Sequence, residues 1–193
     1  MYYEGLMFSL RIFLGLIFLT SGYGKNKNLN LHKYKIEGYG FFPKNLVNFI
    51  AIFDVILEIF IGVSFIFGIL INQFLLVAIS LFFIYAIAAV ISLSKEQEKV
   101  SCGCGGILGD KEASWLVIIR NCFFIGICFV LLIRENLLGN IDLFLTNQHP
   151  IDQIYNFNYI YFFCFSLIST FIYQTTSNLL NMYKTIRLFR GGI

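Results

Sequence analysis

Charge is what this sequence has least of. Only 13% of its 193 residues are Asp, Glu, Lys or Arg, against about 25% in an ordinary soluble domain. Its net charge is only +3, with no basic stripe along the chain, which argues against a nucleic-acid partner. No internal repeat, low-complexity tract or composition break divides it, so residues 1–193 read as one domain. The first apolar stretch is not preceded by a basic segment, since the chain starts Met-Tyr-Tyr-Glu. Nor does an Ala-x-Ala-like site follow it, so it reads as a retained helix and not a removable leader. Polar and apolar residues do not alternate, which excludes the strands of a membrane barrel.

What the sequence does have is apolar bulk in long runs. Hydrophobic residues make up 58% of it, with 23 Phe and 11 Tyr. A helix crossing the ~30 Å hydrocarbon layer needs ~20 such residues in a row. In lipid each backbone polar group must be bonded within its own segment, so the runs are helices. They cover about 5–24, 46–70, 74–93, 115–133 and 159–181. Trp115 suits the membrane interface. Pro150 rules out a continuous helix through the polar stretch before the last run. The expected fold is an all-α integral membrane protein of the cell membrane, a four-helix transmembrane bundle with a fifth, C-terminal helix. That last run is weaker, and spanning and lying at the interface both remain open for it.

Four ionisable residues interrupt the runs: Arg11, Asp54, Glu58 and Arg120. Each costs ~2.5–3.5 kcal/mol at the centre of a membrane helix, so each should face a partner or a wet cavity. Asp54 and Glu58 are four apart and share a helix face. Counted from the helix ends on their common side, Arg11 and Glu58 lie ~20 and ~18 Å deep, Asp54 and Arg120 ~12 and ~8 Å. The depths predict Arg11–Glu58 and Arg120–Asp54 pairs, with Glu58–Arg120 as an alternative. Such pairs would either hold helices in register or form a polar pocket for a quinone headgroup or a proton path.

The sharpest local signal is Cys102-Gly103-Cys104-Gly105-Gly106 in the loop before the fourth run. Two cysteines one residue apart can close only a small, strained disulfide ring, and strain makes a disulfide easier to reduce. The loop so closed is too short to stabilise the fold through chain entropy. Thiol redox chemistry is the favoured reading. A soft metal, palmitoylation and an incidental glycine-rich turn compete with it. Two thiolates alone are too few for a closed zinc site, and His32 and His149 lie in other loops. Cys122, two residues after Arg120, is a candidate resolving thiol. Cys128 and Cys164 fall in apolar runs, where cysteine is usually a small hydrophobe.

Arg11, Leu14-Gly15, Phe18, Ser21-Gly22 and Lys25 in the first run, Leu57-Glu58 and Gly62 in the second, Cys102-x-Cys104-x-Gly106 in the loop, and Arg120-Asn121 in the fourth run together resemble the MauE branch of the DoxX-like redox-associated membrane proteins. The resemblance covers roughly residues 5–135 and departs at Gly105, where the family tends to have Phe. It implies a polytopic protein supporting disulfide formation or maturation of exported proteins beside a thioredoxin-like thiol carrier. The mechanism it implies is similar to that of DsbB and the vitamin K epoxide reductases, in which a loop cysteine pair oxidises a carrier and electrons pass to a quinone. No second loop cysteine pair completes such a relay here.

Lys and Arg in short loops favour the cytoplasmic side. With five spans, Lys25, Lys27, Lys33, Lys35, Lys44, Lys95, Lys99, Lys111, Lys184, Arg187 and Arg190 share the side of the cysteine loop, and only Arg134 stands on the other. The rule puts the loop in the cytoplasm, whereas stable disulfide chemistry belongs outside it. Either the rule fails here or the loop collects electrons from the cytosol. Three functions compete: a membrane thiol–disulfide oxidoreductase or its accessory, a non-catalytic assembly or immunity subunit, and a small transporter using the charge cluster.

Overall fold

The computed structural model describes residues 2–40, 43–94, 115–134, 138–145, 154 and 157–190. The loop carrying Cys102 and Cys104 lies outside the described residues. Seven helices form among the described residues: α1 Tyr2–Lys27, α2 Leu29–Tyr39, α3 Lys44–Phe67, α4 Ile71–Ser94, α5 Trp115–Ile133, α6 Ile141–Leu145 and α7 Phe157–Arg190. Four of them, α1, α3, α4 and α5, are long and apolar enough to cross a membrane. Their 19–26 residues correspond to ~28–39 Å of helix. The chain is a multi-pass, all-α membrane protein.

The expected runs survive with shifted ends. The turn between the second and third falls at Gly68–Leu70, inside the stretch expected as the end of the second run. Gly68 takes φ 74°, ending α3 with its N–H on the Ser64 carbonyl at 2.7 Å. A left-handed residue after the last turn is the commonest helix stop, and glycine adopts it without strain. Asn72 and Gln73 then belong to the first turn of α4. The segment read as a polar connection after the first run holds α2. Its Leu29 and Ile36 pack on Val47, Ile50 and Ala51 of α3, a stripe too short to stand out among Lys and Asn.

α1 is the axis of the bundle. Within its apolar window 67% is buried, against 39% for α3 and 33% each for α4 and α5. It packs on α3, α7, α5 and α2, while α4 rests on α5 and α3. Glycines let α1 and α3 approach closely. A Cβ on Gly62 would stand 2.6 Å from Leu19 Cγ and 2.9 Å from the Gly15 carbonyl oxygen. Small residues at such crossings are the usual device in lipid, where helices associate by van der Waals contact rather than by expelling water. Edge-on and tilted aromatic contacts tie four helices together: Phe18 to Phe65 and Phe82, and Phe124 to Phe82 and Phe13. Outward, Phe53, Phe60, Phe83, Ile84 and Phe123 are exposed, as a surface facing acyl chains requires.

α7 runs beside α1 in the same direction. Phe162 lies against Gly5, Ser166 Oγ donates to the Ser9 carbonyl at 3.2 Å, and Tyr173 meets Phe13 at 5.9 Å. The fifth helix is therefore present and longer than expected, though not among the four most apolar.

Candidate functional site

α1, α3, α4 and α5 alternate in direction, so the end of α1, the start of α3, the end of α4 and the start of α5 lie at one end of the bundle. There the helices bring together a cluster of polar side chains. Asp54 and Glu58, one turn apart on α3, both face Lys25 in the last turn of α1. Lys25 Nζ is 2.7 Å from Asp54 Oδ2 and 2.9 Å from Glu58 Oε1. Tyr85 of α4 donates to Asp54 Oδ1 at 2.6 Å and approaches Glu58 Oε1 at 3.0 Å. Ser21, one turn before Lys25, donates to Glu58 Oε1 at 3.1 Å. His32 of α2 closes the group, its Nε2 3.0 Å from Asp54 Oδ2. Lys25 Nζ also lies over the Tyr85 ring, 4.6 Å from its centroid.

Local sequence explains the gathering. Four-residue spacing puts Ser21 with Lys25, and Asp54 with Glu58, on single helix faces. Gly22 lies between Ser21 and Lys25, and a Cβ there would stand 3.3 Å from the Val55 carbonyl oxygen and 3.4 Å from Glu58 Cβ. Its lack of a side chain brings α3 within reach of both. The cluster is dry: the side chains of Lys25 and Glu58 are each 2% exposed. Charges survive such burial only when paired and hydrogen-bonded. At its centre one ammonium faces two carboxylates.

Asn121 stands one step outside this network. It is fully buried on α5, and among the described residues neither its amide nitrogen nor its amide oxygen has a hydrogen-bond partner. Phe82 and Phe124 fix the pairing of α4 with α5 at a centroid distance of 5.3 Å. One turn along both helices, Tyr85 and Asn121 then come level.

A family model described as methylamine utilisation protein MauE matches residues 4–134. The chain belongs to the MauE family. The MauE match takes in α1 to α5 with the whole polar cluster and ends before α6 and α7. No curated protein and no solved structure matches the chain.

Against this MauE frame, the structure brings two of the four expected intramembrane charges together and separates the others. Asp54 and Glu58 share a site, but neither arginine touches either carboxylate. Arg11 Nη2 donates to the carbonyls of Leu138 and Gly139 at 3.1 and 2.8 Å, and its guanidinium lies over Phe8. The Arg11–Glu58 and Arg120–Asp54 pairings are thereby corrected. Depth counted from helix ends does not fix the register of two packed helices. With Gly15 against Gly62 and Gly22 against Val55, Arg11 falls more than two turns beyond Glu58. Arg120 is half-buried on α5, next to Asn121.

Sequence reasoning missed Lys25, His32, Tyr85 and Ser21 as site residues. The signal for Lys25 was the uninterrupted helical sequence Ser21–Lys27 and the length of a lysine stem, which lets its ammonium reach back along the helix. Tyr85 sits in a run without charge and carries no signal beyond its hydroxyl. Cys102 and Cys104, the candidate catalytic pair, lie outside the described residues. Cys122 is exposed on α5 beside the buried Asn121, so its thiol points away from the polar cluster. Cys128 is buried in the apolar core and Cys164 is exposed on α7. Among the described residues no group of three or more His, Cys, Asp and Glu side chains is arranged to hold a metal ion.

Proposed function

We propose that this protein is a membrane component of thiol–disulfide exchange, an oxidoreductase or the accessory of one, whose loop cysteines Cys102 and Cys104 trade electrons with a thioredoxin-like carrier during maturation of exported proteins. The observation that carries this reading is positional. The buried cluster of Lys25, His32, Asp54, Glu58 and Tyr85 stands at the end of the bundle from which that loop leaves. One of its members, Tyr85, is on the helix that leads into the loop, ~14 Å from its end. Oxidising a dithiol releases two protons, and groups able to take and pass on protons are gathered at that end.

In the oxidising direction a carrier thiolate attacks one sulfur of a Cys102–Cys104 disulfide. The S–S bond breaks as a mixed disulfide forms, and the carrier's second thiolate displaces it. The carrier departs as a disulfide: two electrons pass to Cys102 and Cys104, whose thiolates take up the two protons released when the carrier's thiols ionised. The reverse sequence reduces the carrier. Strain in the small ring favours the oxidising direction.

For a quinone headgroup the polar hydrogens of Ser21, Lys25 and Tyr85 are already directed at carboxylates. The buried amide of Asn121 has no hydrogen-bond partner among the described residues, and it is the group that would hold a quinone carbonyl. Bound there, a quinone would supply an acceptor for two electrons and two protons.

The test is trapping. Cys102→Ser and Cys104→Ser are expressed separately with a thioredoxin-like carrier, and thiols are blocked by acid before non-reducing electrophoresis. One of the two variants should accumulate a reductant-sensitive mixed disulfide with the carrier. If neither does, and both keep full function in vivo, the thiol reading is wrong.

A further inference from the structure

At the opposite end of the bundle a cavity of about 410 Å³ opens between the α3–α4 turn, the end of α5 and α6. Two arginines line it. Arg11, 1% exposed, forms its inner wall, and Arg134, exposed just past α5, stands at its mouth. The polar lining continues with the amides of Asn72, Gln73 and Asn140. Leu131, Leu143 and Leu145 supply an apolar wall. Among the described residues of the lining, Asp142 is the one acidic side chain beside the two arginines.

From this lining we infer that the cavity binds the phosphate-bearing headgroup of an anionic phospholipid, with an acyl chain along the leucine wall. Guanidinium groups are the side chains best matched to phosphate oxygens, because their fork of N–H donors can engage two oxygens at once. Arg11 is held for the purpose by the Leu138 and Gly139 carbonyls and the Phe8 ring. A guanidinium fixed in this way loses little freedom on binding. The position agrees with the chemistry: the cavity lies at the ends of membrane-crossing helices, where headgroups reside and where a ligand meets both polar and apolar walls. A phosphate without a tail would satisfy the arginines but leave the leucines uncovered.

The experiment uses the full chain purified in a neutral maltoside detergent. Native mass spectrometry and thermal unfolding follow titration with phosphatidylglycerol, phosphatidylcholine, glycerophosphoglycerol and inorganic phosphate. Phosphatidylglycerol should remain bound and raise the unfolding temperature more than the other three. Arg134→Gln, at an exposed position whose guanidinium otherwise meets only the Tyr3 ring among the described contacts, should weaken its binding about tenfold or more, as loss of a charge-assisted hydrogen bond does. Leu143→Ser should weaken phosphatidylglycerol while leaving the soluble headgroup unchanged. Equal retention of phosphatidylcholine, or unaltered phosphatidylglycerol binding in Arg134→Gln, overturns the assignment. Inorganic phosphate stabilising as strongly as the lipid overturns the lipid as its occupant.

Discussion

A single lysine holds the polar cluster together. Lys25 bonds both carboxylates of α3, and without it Asp54 and Glu58 would lie in a dry site with only neutral donors and His32 beside them. Removing one partner of a buried ion pair typically costs ~3–5 kcal/mol. Lys25→Met should therefore lower stability by about that amount, read by unfolding in detergent. Glu58→Gln removes the excess negative charge and leaves Lys25 with Asp54, so it should cost clearly less. A larger loss from Glu58→Gln than from Lys25→Met would contradict the assigned pairing. At this scale the sequence was half legible. Asp54 and Glu58 declared themselves by depth and by four-residue spacing, because a carboxylate inside an apolar run is hard to overlook. Lys25 did not, since a lysine beside Asn26, Lys27 and Asn28 looks like an ordinary loop residue. Its role depends on α1 continuing two residues past it, which only tertiary contact enforces.

Helix pairs carry the same lesson one level up. The α1–α3 crossing is set by glycines whose spacing was visible but whose partners were not. Gly62→Ala places a methyl under 3 Å from the Gly15 carbonyl oxygen, a backbone atom that cannot swing aside. Overpacking of this kind costs ~1–3 kcal/mol. Gly15→Ala meets nothing nearer than 3.1 Å and should be milder. Gly126→Ala, on α5 with open space around it, should be neutral or stabilising by up to ~1 kcal/mol, since glycine is the poorer helix former. Unfolding midpoints of the three variants test the order. Four helices were readable as apolar runs because lipid imposes length and hydropathy together. α2 escaped because eleven residues with only Leu29 and Ile36 packed inward make a weak pattern. α7 was foreseen but cut short. Its polar later turns hide a helix that its contacts with α1 reveal.

For the whole molecule, the question is which way it sits in the membrane. The lysines of α1, α2 and the start of α3 cluster at the end from which the cysteine loop leaves, and Arg134 stands at the other. By the positive-inside rule that asymmetry predicts a cytoplasmic loop. A membrane-impermeant maleimide applied to a variant retaining only Cys102 and Cys104 should label after lysis and not in intact cells. Labelling of intact cells would put the loop outside and make carrier oxidation its working direction. The segment after α5 bears on a different property, how far the molecule can be divided. Arg11 belongs to the part that matches the MauE family, yet the carbonyls it bonds, Leu138 and Gly139, come after that part ends. Its guanidinium works as a fastener between the common bundle and the tail that follows. A chain stopped at residue 134 would keep every helix of the family match and still lose those two acceptors, together with the α7 face that covers Gly5 and Ser9. A chain trimmed to the edge of its family likeness should therefore express as unstable protein, read by its unfolding midpoint in detergent against that of the full chain.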